Sequence, residues 1–295
     1  MTATTPADVT TQTNFVRRRP SGAARRRTIG FHTGAILLSL FWLAPIGLVV
    51  VISVRTFDDL AANGVWSLPR SFSFGGFSSA WTQGGLSTAM KNSFIIAIPS
   101  VFFALLLSSL AAYALSRFHV PFSRSILLLM LAGNLLPAQL LLIPITRFTE
   151  RLGIFDTHLA VILVHIGFGM GFYTFVLHGF MSSIPMEVQE AATIDGAGPT
   201  QIYFLVMLPL ARPALAALGA LSFTWIFNDL LWAITTLRSQ SQMPATAALL
   251  GLAGTYTSEW NIIAAGTVLA ALPTLVVFLA FQRHFVSGLA LGSVK

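Results

Sequence analysis

The stretch "EVQEAATIDGAGPTQIYFLVMLP", residues 187–209, is polar in surroundings that are almost entirely apolar. Its acids Glu187, Glu190 and Asp195 lie close together, and "GAGP" interrupts it half-way. Ser183 as a cap, Pro185 in the first turn and Glu187 near the N-terminus are helix-start signals. They predict a helix over 185–194. Its period sets Glu187, Glu190 and Ile194 along one side, and Val188, Ala191, Ala192 and Asp195 along another. Gly196 supplies a left-handed stop, and Gly198-Pro199 a turn. A second short helix is expected from Pro199 or Thr200, with Ile202, Tyr203, Leu205 and Val206 apolar, ending at Pro209. The small Ala191, Ala192 and Ala197 would let another surface approach the backbone, and Glu190 is left as an exposed anion. On these residues the element is either a docking loop or an amphipathic surface loop without a partner.

Outward from that loop the chain is oil. Of its 295 residues 55% are hydrophobic and 9% charged, whereas soluble domains carry about a quarter charged residues. Too little polar surface exists to cover a water-soluble globule, so the class is polytopic membrane protein. The absence of Cys removes disulfides, thiolate chemistry, Cys-ligated zinc and iron–sulfur clusters. Charge-free intervals locate the spans, because about 20 apolar residues cross the roughly 30 Å hydrocarbon core. They are expected at 34–54, between Lys91 and Arg117, between Arg124 and Arg147, and at 159–180, 213–237 and 260–282. The predicted fold is an all-α integral membrane protein with six transmembrane helices. The first run exceeds the roughly 7–15 residues of a signal peptide's apolar core, and "VVVISVRTF" lacks a small-x-small cleavage site, so it is expected to stay as an anchor.

The formal net charge of +7 suggests nucleic acid until its placement is considered. Arg17, Arg18, Arg19, Arg25, Arg26 and Arg27 stand just before the first span, where they read as a topology signal rather than a nucleic-acid arm. With Arg117, Arg124, Arg212, Arg283 and Lys295, the N-terminal side holds eleven of the seventeen Lys and Arg residues. That bias predicts N-in, C-in, with the loop over 183–212 facing the cytoplasm between spans 4 and 5. It is the one inside loop whose acids break the bias. Residues 1–30 read as a disordered Arg-rich tail, 31–91 as the first span and its outside loop, and 92–295 as a five-span core. The first outside loop holds "SFSFGGFSSAWTQGG", an interfacial aromatic segment. No stretch between spans is long enough for a catalytic domain. No G-x-x-x-x-G-K occurs either, so any ATP must be handled by another chain.

The pattern Glu190-Ala191-Ala192, three residues, Gly196, nine residues, Val206-Met207-Leu208-Pro209 resembles the "EAA" loop of ABC-importer permeases, with Val206 where Ile is usual. The resemblance extends to carbohydrate-type permeases similar to the second membrane subunit of the maltose system. It is carried by "NSFIIAIPSVFFALLLSSLAAYALSRFHVPF" from Asn92, "LIPITRFTERLGIFDTHLAVIL" from Leu142, "FNDLLWAI" from Phe227 and "FQRHFVSGLALGSVK" at the end. One departure is the fourth span, "HIGFGMGFYTFVLHGF", which lacks the proline that relatives often carry. The resemblance implies a non-catalytic subunit in the bacterial cytoplasmic membrane that carries a sugar or oligosaccharide. Its implied partners are a second permease, two ATP-binding subunits that hold the ATP and Mg, and an extracytoplasmic solute-binding protein. Glu190, Ala191, Ala192, Asp195, Gly196, Leu208 and Pro209 would form the ATPase-coupling loop.

Inside the spans polar residues are few. Asp229 is the acid placed within the membrane, and intramembrane acids are costly. With Asn228 it either lines a pathway or holds a helix interface together. Asn134 and Gln139 flank Pro137, with Pro144 following, which suggests a broken helix beside a cavity, the two polar residues either lining a pathway or packing. His165 reads as a hydrogen-bonded interior residue rather than a metal ligand. The alternative to an ATP-driven importer is a transporter driven by an ion gradient, which needs more intramembrane ionisable groups than one Asp and one His. A membrane enzyme ranks last, since Asp58 and Asp59 show no partner motif.

Overall fold

Small residues recur along the second span, and they decide what packs there. The computed structural model describes residues 22–256 and 259–291, with side chains for 28–256 and 259–282. The chain divides into two compact units, residues 1–48 and 49–295. The described part of the first is most of helix α1 (Gly22–Ser53), which begins inside the stretch read as tail; residues 1–21 of that tail lie outside the described residues. The packing described below concerns the second unit.

Its order is α2 (Phe57–Asn63), α3 (Gly75–Trp81), α4 (Leu86–Arg117), α5 (Ser123–Gly133), α6 (Leu142–Arg151) and α7 (His158–Ser182). There follow α8 (Met186–Ile194), α9 (Pro199–Ile202), α10 (Leu208–Leu210), α11 (Arg212–Phe227), α12 (Leu231–Thr236), α13 (Ala245–Thr255) and α14 (Trp260–Leu291). Among the described residues there is no β-strand; a single bridge pairs Arg55 with Phe72. Four helices are long and apolar enough to cross a membrane: Thr28–Ser53, Leu86–Arg117, His158–Ser182 and Trp260–Gln282. Two further candidates are bent pairs, Ser123–Gly133 with Ala138–Arg151 at 88°, and Pro199–Leu210 with Arg212–Phe227 at 72°.

Helices α4 and α7 form the most extensive pairing in the molecule. Ala89, Ser93, Ala97, Ser100, Ala104, Ser108 and Ala112 are all buried along α4, three or four residues apart on one face. Lipid supplies no hydrophobic drive between helices, so close van der Waals approach of small side chains holds them. Ser100 donates to Ile96 O at 2.7 Å within its own helix, so its hydroxyl is satisfied inside the seam. Across the seam Ser108 donates to Met170 O at 3.4 Å, and bonds of this kind are worth about 0.6 kcal/mol. Gly171 of α7 lets α5 in as well. A Cβ there would collide with the Met130 carbonyl and stand 2.5 Å from Asn134 Nδ2.

The third expected span is broken, as Pro137 and Pro144 suggest. α5 stops at Gly133, a 3-10 turn (Ala138–Leu141) follows, and α6 leaves at a steep angle. Pro137 lacks the N–H that a continuing helix would need. The fourth is an unbroken α7. The fifth differs from expectation. α11 ends at Phe227, and Asn228, Asp229 and Leu230 separate it from α12, so 213–237 is not one rod. Between α12 and α14 the chain forms a further helix, α13. At 11 residues that apolar helix is too short to span, and it buries Ala245, Ala247, Ala248 and Leu252.

The two ends of this unit are tied differently. At one, Asn92 Nδ2 donates to Ser241 O (2.8 Å) and Met243 O (3.0 Å), and His158 Nε2 meets Gln242 O at 3.1 Å. Asp156 accepts from the backbone N–H of Arg238 (2.7 Å) and Ser239 (2.9 Å) and from the Ser239 hydroxyl. Those bonds, led by the Ser239 hydroxyl, hold its carboxyl below the usual range. Arg55, one of the six Lys and Arg residues assigned by sequence to the opposite side, is fully buried and pairs with Asp59 at 2.7 Å. It also donates to Gly64 O, Ser67 O and Ser67 Oγ. Asp59 therefore has a partner, and the segment between α1 and α3 is folded around it.

The bent loop, the polar chamber and the family they belong to

At the opposite end lies the polar stretch 187–209. α8 follows Pro185, which stands at its N-cap; Ser183 instead donates to Phe180 O at 2.7 Å and closes α7. The helix ends in a Schellman motif. Gly196, at φ +85°, donates to Thr193 O, and Ala197 donates to Ala192 O, both at 3.0 Å. Only glycine takes that φ without cost, and nothing lies within 4 Å of where a Cβ would sit. Asp195, at the C-cap, is exposed. Gly198 N then donates to Gln201 Oε1 at 2.9 Å, with Pro199 at the start of α9.

From Pro199 to Leu210 the backbone stays helical, so Pro209 does not end the second helix as expected. A wide π turn over Tyr203–Met207 accommodates it. Pro209 has no N–H and crowds the carbonyl four residues back, and the widened turn lets Leu208 N reach Tyr203 O instead. The 72° bend comes later, at Ala211.

The loop is clamped to the spans. Tyr203 is buried and its hydroxyl shares a 2.7 Å hydrogen bond with Ser109 of α4. Tyr113 donates to Pro199 O at 3.1 Å. Arg117, at the end of α4, donates to Met181 O (2.5 Å) and Ile184 O (2.9 Å), a cation on the carbonyl end of α7. The expected docking residues divide. Glu190 and Ala191 are exposed beside Glu187 and Ile194, whereas Ala192 packs against the core cluster that contains Ile202 and Tyr203. Ala191 thus belongs to the acidic face, not to that of Val188. Leu208 and Pro209 are half-buried at the hinge.

The second site is a chamber of about 200 Å³ between α5, α7, α11 and α12. Asp229 enters it while capping α12, accepting from Trp232 N (3.1 Å) and Ala233 N (3.2 Å). His165 Nε2 lies 3.6 Å from Asp229 Oδ2. It is buried without a hydrogen-bond partner, contrary to the bonded interior role expected of it. Asn134 and Phe168 line both this chamber and an adjoining apolar cavity of about 340 Å³ beside the broken span. The four expected pathway residues part company here. Asn134 and Asp229 meet in the chamber. Gln139 is exposed in the 3-10 turn, and Asn228 turns away to donate to Thr224 O (2.8 Å) and to Thr274 of α14 (3.1 Å).

Sequence reasoning missed Trp232, Phe168 and the clamp residues Ser109, Tyr113 and Arg117. Arg117 carried a signal, a lone cation closing a span; the others carried none. Among the described residues no three His, Asp or Glu side chains gather to hold a metal ion.

Residues 92–290 match the family described as "Binding-protein-dependent transport system inner membrane component". This chain belongs to that family. The permease is 31% identical over 275 residues to the melibiose/raffinose/stachyose import permease protein MelC of Bacillus subtilis, covering 92% of this chain and 99% of that one. It is 30% identical to the diacetylchitobiose uptake system permease protein NgcG of Streptomyces coelicolor, over 94% and 92% of the two chains. Its fold is that of a bacterial ABC transporter involved in the import of the acidic polysaccharide alginate, with a TM-score of 0.78, 23% identity, and 90% and 99% of the chains covered.

Proposed function

We propose that the permease is the membrane-spanning subunit of an ATP-driven importer for a sugar or oligosaccharide. It forms half of the pathway with a second permease, and takes its substrate from an extracytoplasmic binding protein. Counting each bent pair as one crossing gives six spans, N-in and C-in, in a cytoplasmic membrane. Two separate ATPase subunits would hold the ATP and Mg, and the reading involves no nucleic acid.

The observation that carries this reading is the loop. Its outer face offers Glu190, Ala191 and Ile194 to a partner, and its inner face is bonded to α4 and packed below α7. A rigid element gripped outside the membrane and bonded to two spans transmits movement instead of absorbing it. Closure of an ATPase pair would move α8, and through Tyr203, Tyr113 and Arg117 the spans would follow.

The test is reconstitution with the partner subunits in proteoliposomes. Uptake should require ATP, and Glu190→Lys should cut it between about 5- and 150-fold while ATP turnover persists. Uptake driven by an ion gradient without ATP would replace this reading with that of a secondary transporter.

A further inference from the structure

We propose that the chamber around Asp229 is a subsite for one uncharged sugar residue, and that its charge turns acidic saccharides away. The proposal rests on the importer reading and adds a substrate class to it. His165 is nine-tenths buried, and its Nε2 lacks a hydrogen-bond partner. A stranded buried polar atom is expensive. Asp229 Oδ2 is engaged by two backbone N–H groups, but Oδ1 has only a 3.5 Å contact from Trp232 N. A sugar hydroxyl both donates and accepts, so with the proton on Nε2 one hydroxyl between these side chains accepts from His165 and donates to Asp229. Asn134 uses its amide N–H towards Met130 O at 3.3 Å, which leaves its side-chain carbonyl for a second hydroxyl.

The walls suit the rest of a pyranose. Phe168 and Trp232 stand with ring centroids 4.9 Å apart, and Phe172 and Trp225 5.9 Å apart. Such faces match the C–H side of a sugar ring. At about 200 Å³ the chamber is smaller than the roughly 300–1,000 Å³ of drug-sized sites, which fits one ring and not a chain of them. Its lining contains no Lys or Arg. A uronate entering would meet the Asp229 carboxylate with no guanidinium or ammonium to answer it, an arrangement that rejects by repulsion.

The experiment uses the complete importer in proteoliposomes, with raffinose, maltose and diacetylchitobiose as neutral probes. His165→Leu and Asp229→Asn, the latter keeping a capping acceptor, should each raise the half-saturating sugar concentration about tenfold, the loss of one hydrogen bond. Complex assembly should stay unchanged. His165→Gln should recover part of the loss, and Gln139→Ala should do nothing. Because the binding protein selects first, exclusion is read on the membrane complex without it. Raffinose should quench tryptophan fluorescence, and an alginate oligosaccharide should not. Wild-type uptake in His165→Leu, or equal quenching by alginate, overturns the subsite and leaves the importer standing. No ATP-dependent uptake of any probe overturns the importer reading and the subsite with it.

Discussion

The bent loop and the polar chamber are built in opposite ways. Between Met186 and Leu210 the loop makes its own caps: a Schellman turn, a proline-opened helix and a π turn around Pro209. All of them are bonds between residues a few places apart. The chamber owns no segment. Asn134, His165 and Asp229 arrive from α5, α7 and the α11–α12 break, and each is held there by something else. Local chemistry makes the loop rigid; packing alone makes the chamber a chamber. A substitution should therefore act on the first through backbone conformation and on the second through volume.

The hardest test of that contrast is Gly171→Leu. A side chain there must displace the α5 backbone, and overpacking costs about 3 kcal/mol at the upper end of its usual range. The expected result is loss of folded protein in detergent, read by thermal melting. Glu190→Lys and Gly196→Val come next and should leave folding intact. They should cut uptake between about 5- and 150-fold, the span of a coupling free energy of 1–3 kcal/mol, with ATP turnover retained. If either lowers stability as Gly171→Leu does, the loop is not autonomous.

The outer loop sharpens the comparison, because it is local in sequence yet buried. Arg55→Met should lower its melting temperature by several degrees while leaving the bent loop untouched. Led by its hydrogen bond with Arg55, the Asp59 carboxyl is held at about 2 instead of 3.8. A depressed carboxylate adds stability above its unfolded value, so that stability should persist at neutral pH and be lost as pH falls from about 4 towards 2. Hydrogen exchange across residues 55–73 as a function of pH checks it. The smallest effect is Ser109→Ala. It removes one partner of the Tyr203 hydroxyl and should cost about 1 kcal/mol, which Tyr203→Phe in the same protein should largely cancel.

Legibility followed the same division. The start of α8, the stop at Gly196 and the opening at Pro199 were readable because caps and turns act within a few residues. The break at Pro137 was readable for the same reason. The split of 213–237 was not, although its cause is visible: Asp229 is placed to cap a new helix, and hydropathy carries no record of a cap inside an apolar run. Ala191 and Ala192 were placed on one face, yet the structure sends one out and the other in, since the bend at Gly196 decides where the core lies. Arg55 and Arg117 entered only as charges; their partners lie at carbonyls that composition does not weigh.

Residue order by itself determined that the chain lives in lipid, that it is helical, and that a bent polar element follows the fourth apolar run near residue 187. Those are consequences of hydropathy and of bonds closed within a turn. Which polar side chains would share a chamber was decided by the tertiary structure. Small residues along α4 and Gly171 set how closely the helices approach, and that distance, not the spacing of Asn134, His165 and Asp229 along the chain, brings them together.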